Sequence, residues 1–303
     1  MLCWKGIYLN SAKGMMMKIW NLGLGIGLSL VMAVAGAKSS VWEVSKGGQK
    51  VYLGGTVHVL AQSDYPLPEE FDLAYKDSQV LVFEMDMNAA QTPQFEQTLM
   101  QKMMYLDGRT YADELQPNTV ERLNSYIKER GLPLDNLKIL KPSLLSITLT
   151  MKELQRLGIM GAGVDQFYTM LGSQDKKSFQ YLELPEEQLE FLAGMGKGYE
   201  DEFINYTLDD INRLGDMMAD MKQAWRSGDS QALVDLSMIE WQEKFPQSYQ
   251  SLIVDRNNNW MDDIEGYFAT EDVEFVLVGA LHLVGEDGVI KALRDKGYKV
   301  KQL

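Results

Sequence analysis

The sequence predicts an α/β fold of the α+β kind: a mixed central sheet wrapped by helices, with a long helical insertion in its middle. Three observations predict it. Apolar runs suited to strands buried on both faces cluster near the two ends of the chain, at Val80–Phe83 and Val273–Val278. The stretch between them carries the start and stop signals of successive helices. No period of 20 to 50 residues marks a solenoid. With 46% hydrophobic and 24% charged residues in 303, the chain can build a large core, which excludes collagen-like, low-complexity and wholly disordered classes. The net charge of −14 disfavours a nucleic-acid partner, because phosphate binding needs clustered Lys and Arg. Anionic membrane surfaces are disfavoured for the same reason.

Residues 1–37 read as a signal peptide. Lys5, Lys13 and Lys18 precede the apolar run Ile19–Val34, and Ala35-Gly36-Ala37 supplies the small-residue cleavage pattern. The run is short for a membrane span of ~20 residues, so a cleaved export signal is expected, with no membrane association afterwards. The only cysteine, Cys3, would leave with it, and disulfides and thiol catalysis drop out. The exported product would hold 26 basic and 43 acidic residues, a net −17, and would be periplasmic or secreted.

Residues 38–303 read as one domain, with sheet from about 41–86 and 273–303 and a helical middle of about 91–268. Val41–Val44 and Val51–Leu53 flank Lys46-Gly47-Gly48-Gln49 as a hairpin. Its second strand runs into Gly55-Thr56-Val57-His58. The strand Val80–Phe83 ends in Glu84-Met85-Asp86. Helices are expected from Pro117 to Gly131, from Pro142 to about Gly158 and from Leu184-Pro185 onward. Tyr199–Trp225, Ser230–Lys244 and Gln247–Phe268 complete the helical set, and Ser178–Glu183 reads as an additional strand. Val273–Val278 leads into Gly279-Ala280-Leu281-His282, then a helix and the short strand Tyr298–Lys301. The methionines and the helical aromatics Phe191, Phe203, Tyr206, Trp225, Trp241 and Trp260 are expected to pack the core.

Only two histidines exist, and each stands three residues after a glycine at a strand end. With 26 glycines in 303 residues, chance produces that match less than about one time in a hundred. The glycines are expected to allow tight or positive-φ backbone that aims each imidazole across the sheet edge. A lone buried histidine is more often structural, but the matched pair favours a shared site. His58, His282 and the strand-end Glu84 would supply three metal ligands and leave a position for water, the usual form of a catalytic metal centre. Asp86 is a base or supporting candidate if the strand continues past Glu84. HExxH, GxSxG in the exported portion and the P-loop pattern are absent.

Gly55-Thr56-Val57-His58, Glu84, Gly163-Val164-Asp165, Arg256-Asn257 with Trp260, and Gly279-Ala280-Leu281-His282 resemble, in this order and spacing, the TraB/GumN family, related to the Tiki metalloproteases. The similarity spans about Val41 to Leu303. It implies a mixed sheet of the type shared with erythromycin esterases and haem-binding ChaN-like proteins. It also implies divalent-metal-dependent peptide cleavage, with manganese or cobalt favoured and zinc as a further choice. By this resemblance His58 and His282 are metal ligands, Glu84 is a ligand or the base that activates water, and Arg256 and Asn257 are catalytic. Arg256 would stabilise an oxyanion or clamp a substrate carboxylate, its bland alternative being a salt bridge. Asn257 would donate or orient from the side, since adjacent helical positions diverge by about 100°. Asp165 matches the family's Gly-x-Asp, though a helix N-cap explains it equally well. Asp255 stands where the family more often has glutamate.

The expectation is therefore an exported metal-dependent hydrolase, a Tiki-like peptidase, acting on a peptide or protein substrate. The alternative is a non-catalytic periplasmic module that holds a ligand, haem or peptide on the same fold; an ester hydrolase with histidine as base comes third.

Overall fold

A computed structural model describes residues 38–303; the expected signal over residues 1–37, Cys3 included, lies outside the described residues. The hairpin forms as its sequence dictates. β1 (Val41–Lys46) pairs antiparallel with β2 (Gln49–Thr56), and Gly47 and Gly48 take φ of 63° and 94°, the left-handed backbone a two-residue turn requires. The remaining strands are β3 (Val59–Leu60), β4 (Val80–Met85), β5 (Gly161–Ala162), β6 (Ser178–Glu183), β7 (Glu274–Gly279) and β8 (Lys299–Gln302). Six of them make one sheet in the order β6-β4-β7-β2-β1-β8, while β3 and β5 pair separately. β6, β4, β7 and β2 run parallel, and β1 and β8 close the far edge antiparallel. The mixed sheet wrapped by helices is thus present. β4 and β7 are buried on both faces, which explains their unbroken apolar runs.

The helical middle is two crossover connections, because β6 returns to the sheet between them and pairs with β4. Helices cover Pro117–Glu129, Pro142–Arg156, Pro185–Ala193 and Glu200–Arg226, close to expectation. Three further helices appear: Glu69–Asp77, within the stretch read as sheet, Pro93–Met103, inside the expected helical middle, and Val164–Asp175, which begins beside the Asp165 expected as an N-cap. The last contains Gly172, where a Cβ would lie 2.6 Å from Leu81 Cδ1; close packing onto the sheet, not helix propensity, selects that residue. The expected Ser230–Lys244 helix breaks at Met238. The expected Gln247–Phe268 helix is Pro246–Tyr249, a π-helical stretch over Gln250–Asp255, and then Arg256–Gly266. Such a π segment shifts the phase of every later side chain.

The sheet's core includes the aromatic group Phe71, Tyr168, Trp225 and Phe275, with ring centroids 5.6–6.3 Å apart. Trp225 ties its helix to β2 by donating to the Gly55 carbonyl at 2.6 Å. A second apolar core forms among the helices from Leu123, Ile127, Leu145, Leu149, Ile204 and Leu208. Met87, Met100, Met160 and Met170 are about half exposed, so the expectation that methionines serve the core fails for them. Among the described residues no helix is long and apolar enough to cross a membrane.

Candidate functional site

Four parallel strands end on one side of the sheet, where open α/β sheets commonly carry their sites. β6 ends at Glu183, β4 brings Glu84, β7 ends at Gly279 just before the helical turn bearing His282, and β2 runs out to His58. A Cβ placed on Gly279 would lie 3.3 Å from Glu84 Oε1, 3.4 Å from His282 Cδ2 and 3.9 Å from His58 Nε2. The two histidines and the glutamate therefore do converge.

The glycines achieve this by absence of volume. Neither Gly55 nor Gly279 has positive φ; of the two expected forms, tight backbone or positive φ, the structure shows the tight one. A Cβ on Gly55 would come within 3.0 Å of Ala280 Cα, so the two Gly-x-x-His segments need each other's bare backbone to pack.

Each imidazole is held through Nδ1. Asn257 donates from Nδ2 to the carbonyls of His282 (3.1 Å) and Asp287 (2.8 Å), which turns its Oδ1 toward the ring. His282 Nδ1–H then donates to Asn257 Oδ1 at 2.7 Å, leaving the Nε2 lone pair to accept from Arg256 Nη1 at 3.0 Å. Arg256 and Asn257 diverge as adjacent helical residues must, and they grip opposite nitrogens of one ring. Trp260 covers that ring at 4.5 Å. His58 is different: 64% of its side chain is exposed, and its Nδ1 lies 3.4 Å from Asp165 Oδ1.

A buried ion cluster forms the floor. Arg256 is 6% exposed; it donates from Nε and Nη2 to Glu183 at 2.7 and 2.9 Å, and from Nη2 to Glu84 at 2.6 Å. A guanidinium has five N–H donors, so these bonds and the one to His282 leave a single Nη1 N–H without a partner among the described residues. Glu84 also accepts from the Gly279 N–H at 2.7 Å and from Gln188 at 3.1 Å. Burial raises the Glu84 pKa, but Arg256, then the histidines and the Gly279 N–H, outweigh it and hold the carboxyl down at about 2. Burial pulls His282 down to about 3, so it is neutral. Partial desolvation by its surroundings lowers His58, but Asp165 and then Glu84 more than offset it and bring the imidazole up to about 9.

A sequence model of the TraB/PrgY/gumN family matches residues 40–302, nearly the whole chain. The chain belongs to this family. No curated protein and no solved structure matches it.

Within this TraB/PrgY/gumN chain, not every expected site residue joins the cluster. β4 stops at Met85, so Asp86 leaves the strand, and its Oδ1 caps the turn by accepting from the Asn88 N–H at 2.8 Å. Gly163, not Asp165, is the N-cap of its helix; Asp165 sits in the first turn and reaches His58 instead. Sequence reasoning missed Glu183 as a site residue. Its signal was available: a strand ending in a carboxylate, like β4, with Pro185 starting a helix immediately after. Trp260 is core, as expected, but also donates from Nε1 to Glu183 at 2.9 Å.

The donor set meets the needs of a divalent ion only in part. The Nδ1 bonds present both Nε2 atoms inward, as metal-binding histidines require. However, Arg256 already donates to His282 Nε2 and Glu84 Oε2, two of the three expected donor atoms. A unit charge 4 Å from another costs about 4 kcal/mol at an effective dielectric near 20, and a dication doubles that. Among the described residues no group of three His, Cys, Asp or Glu side chains is disposed to hold a metal ion. As arranged, the residues do not fit one.

Proposed function

We propose that the protein is an exported hydrolase of peptide bonds in which His58 moves the proton. The observation that carries this reading is the Asp165–His58 pair, open to solvent beside the buried Glu84–Arg256 cluster. Asp165 accepts from Nδ1, which leaves Nε2 to take a proton from water. The resulting hydroxide attacks the carbonyl carbon, and the negative charge that develops on oxygen faces the remaining Arg256 Nη1 N–H and the guanidinium's positive charge. The tetrahedral species then expels the amine, which takes back the proton from His58. No added base is consumed.

Export is supported by the basic, apolar and small-residue order of residues 1–37. A peptide substrate is supported by the resemblance to Tiki metalloproteases and by half-exposed or more exposed apolar residues at the strand ends, Met87, Met160 and Leu184. A cavity of about 440 Å³ beside Glu183, lined by Tyr181 and Leu184, offers room for a substrate side chain.

A divalent-ion form of the same hydrolase is the second reading, and the Nδ1 anchoring of both histidines favours it. Manganese or cobalt on His58, His282 and Glu84 would require Arg256 to give up two of its bonds. Peptide and ester libraries presented to the purified chain, before and after chelation, decide between the two. The proposed reading expects chelator-resistant turnover that His58→Ala reduces at least about 100-fold. Turnover only with added manganese or cobalt supports the ion-bound form. Unchanged turnover by His58→Ala sinks both, and tight ligand binding with no turnover by any preparation points to a binding module.

A further inference from the structure

The sheet has two edges, and the chain treats them differently. At one end β8 is four residues long and carries Lys299 and Lys301. Short strands and lysines are how natural sheets keep an edge from pairing further. At the other end β6 is six residues long and has no Lys, Pro or Gly within it. Ser178 donates its N–H to the Gln79 carbonyl at 3.3 Å, so Ser178, Gln180 and Leu182 turn their main-chain groups toward β4. Phe179, Tyr181 and Glu183 therefore turn N–H and C=O away from the sheet, where these groups have no main-chain partner among the described residues. Tyr181, at the centre of this row, is 40% exposed.

We propose that β6 is the docking edge for the peptide substrate, which adds to it as an extended outer strand and places a Lys or Arg side chain in the cavity at the strand's end. This rests on the reading of the chain as a peptide hydrolase and names what its substrate must offer. Main-chain bonds along such an edge give affinity whatever the sequence, and a side-chain pocket gives the preference. The cavity of about 440 Å³ lies at the carboxyl end of β6, where Tyr181 and Leu184 form an apolar wall and Asp86 and Glu187 supply negative charge. Glu183, also in its lining, is already paired with Arg256. No basic residue lines this cavity, and a net charge of −14 favours a cationic peptide over a second copy of the same chain. Four inter-strand steps, about 19 Å, separate an added strand from β2 and His58, a distance that about six extended residues cross. Docking and hydrolysis thus engage different parts of one substrate about twelve residues long.

The test is a fluorescence titration of the full His58→Ala chain with a dansylated peptide of about twelve residues that alternates threonine and lysine. Tyr181→Pro, added to that chain, deletes one outward N–H that the fold does not use, a change edge strands tolerate, and is expected to weaken binding at least about tenfold. Tyr181→Ala keeps the N–H and is expected to weaken it less. N-methylation of every second peptide amide is expected to abolish binding in one frame and to leave it unchanged in the other. Those peptides meet the unaltered edge, so they decide the matter even if Tyr181→Pro does not fold. Glutamine in place of each lysine is expected to weaken binding, and Asp86→Asn with Glu187→Gln to reduce that difference. Equal binding by Tyr181→Pro and its parent, equal binding by peptides methylated in either frame, or no binding of the unmethylated peptide overturns the proposal. A wild-type chain that sediments as a dimer and becomes a monomer on Tyr181→Pro also overturns it, since the edge then belongs to a second copy. Binding without cleavage by wild type counts against the hydrolase reading and not against the edge.

Discussion

The sheet and the helical lobe bury different chemistry. At the carboxyl ends of β6, β4 and β7 the interior contains Glu183, Glu84, Arg256 and His282, each nine-tenths buried or more. The lobe built around Leu123, Leu145, Ile204 and Leu208 buries mainly aliphatic and aromatic groups, and keeps pairs such as Arg213–Asp210 at its surface. A lobe of that kind is stable through area removed from water and tolerates loss of any one surface charge. The sheet end instead holds charges that are stable only as a complete set, which is how a fold behaves when a site has been paid for out of its stability.

The sharpest contrast is between two arginines. Arg256→Leu leaves Glu84 and Glu183 buried with no cation and is expected to cost about 3–5 kcal/mol. Arg213→Leu, half exposed in the lobe, is expected to cost less than about 1 kcal/mol. Urea unfolding of the two variants measures the difference directly; equal losses would mean the cluster is no more than a surface ion pair in effect. Next in size is Leu208→Ala, which empties a buried position of the lobe and is expected to cost about 3 kcal/mol. Because the lobe's core is separate, turnover per folded molecule is expected to stay at the wild-type level. A parallel loss of turnover would show that the two regions are coupled.

Acid pH tests the same contrast without mutation. Glu84 titrates lower in the folded chain, about 2, than in an unfolded one, near 4.5. Its contribution, of order 3 kcal/mol from the shift, is complete above pH 4.5 and is lost as pH falls toward 2. His282 is also depressed, to about 3, so unfolding gains a proton as pH drops below about 6.5 and stability declines from there. His58 acts at the other end: raised to about 9, it stabilises below about 6.5 and loses that contribution as pH rises through 9. Thermal melts from pH 3 to 10 are expected to be highest near neutrality, and Glu84→Gln is expected to flatten the decline below pH 4.5. The rate limb follows the same group: if His58 is the base, kcat/KM rises with pH toward about 9.

Much of this was legible in the sequence, and the failures are physical. The hairpin was announced by Gly47-Gly48, the buried strands by their apolar runs, and the convergence of His58, His282 and Glu84 by two matched glycines and a strand-end acid. Asp86 was misjudged because a carboxylate two residues along belongs to the same face only while the strand lasts, and β4 ends at Met85. Glu183 was missed although its strand ends in a carboxylate as β4 does, because nothing in a six-residue edge strand tells that it pairs with β4 and so brings that carboxylate beside Glu84. The extent of the Val164–Asp175 helix was hidden, because its Gly172 answers to the sheet beneath it, although Asp165 had marked a helix start nearby. No periodicity reports the π stretch before Arg256, since 3.6-residue spacing holds on either side and only the phase changes. Local pattern therefore reveals the ligands of a site earlier than it reveals the group that holds them together.

The stability change expected of Gly279→Ala is small, and this variant separates site from scaffold most cleanly. The added methyl would stand 3.3 Å from Glu84 Oε1 and 3.4 Å from His282 Cδ2, closer than ordinary contact, and 3.9 Å from His58 Nε2. Gly279 has an ordinary negative φ of −48°, so alanine brings no backbone strain. The chain should then fold with a loss of about 1 kcal/mol, the low end for overpacking. In the proposed reaction, however, the attacking water stands between the two imidazoles, and displacement of reacting groups by a fraction of an ångström can cost about 100-fold in rate. Circular dichroism and a melting curve near wild type, together with collapsed turnover, are the expected pair of results. If Gly279→Ala turns over substrate like wild type, the reaction does not take place between His58 and His282, and the exposed Asp165–His58 face must work alone.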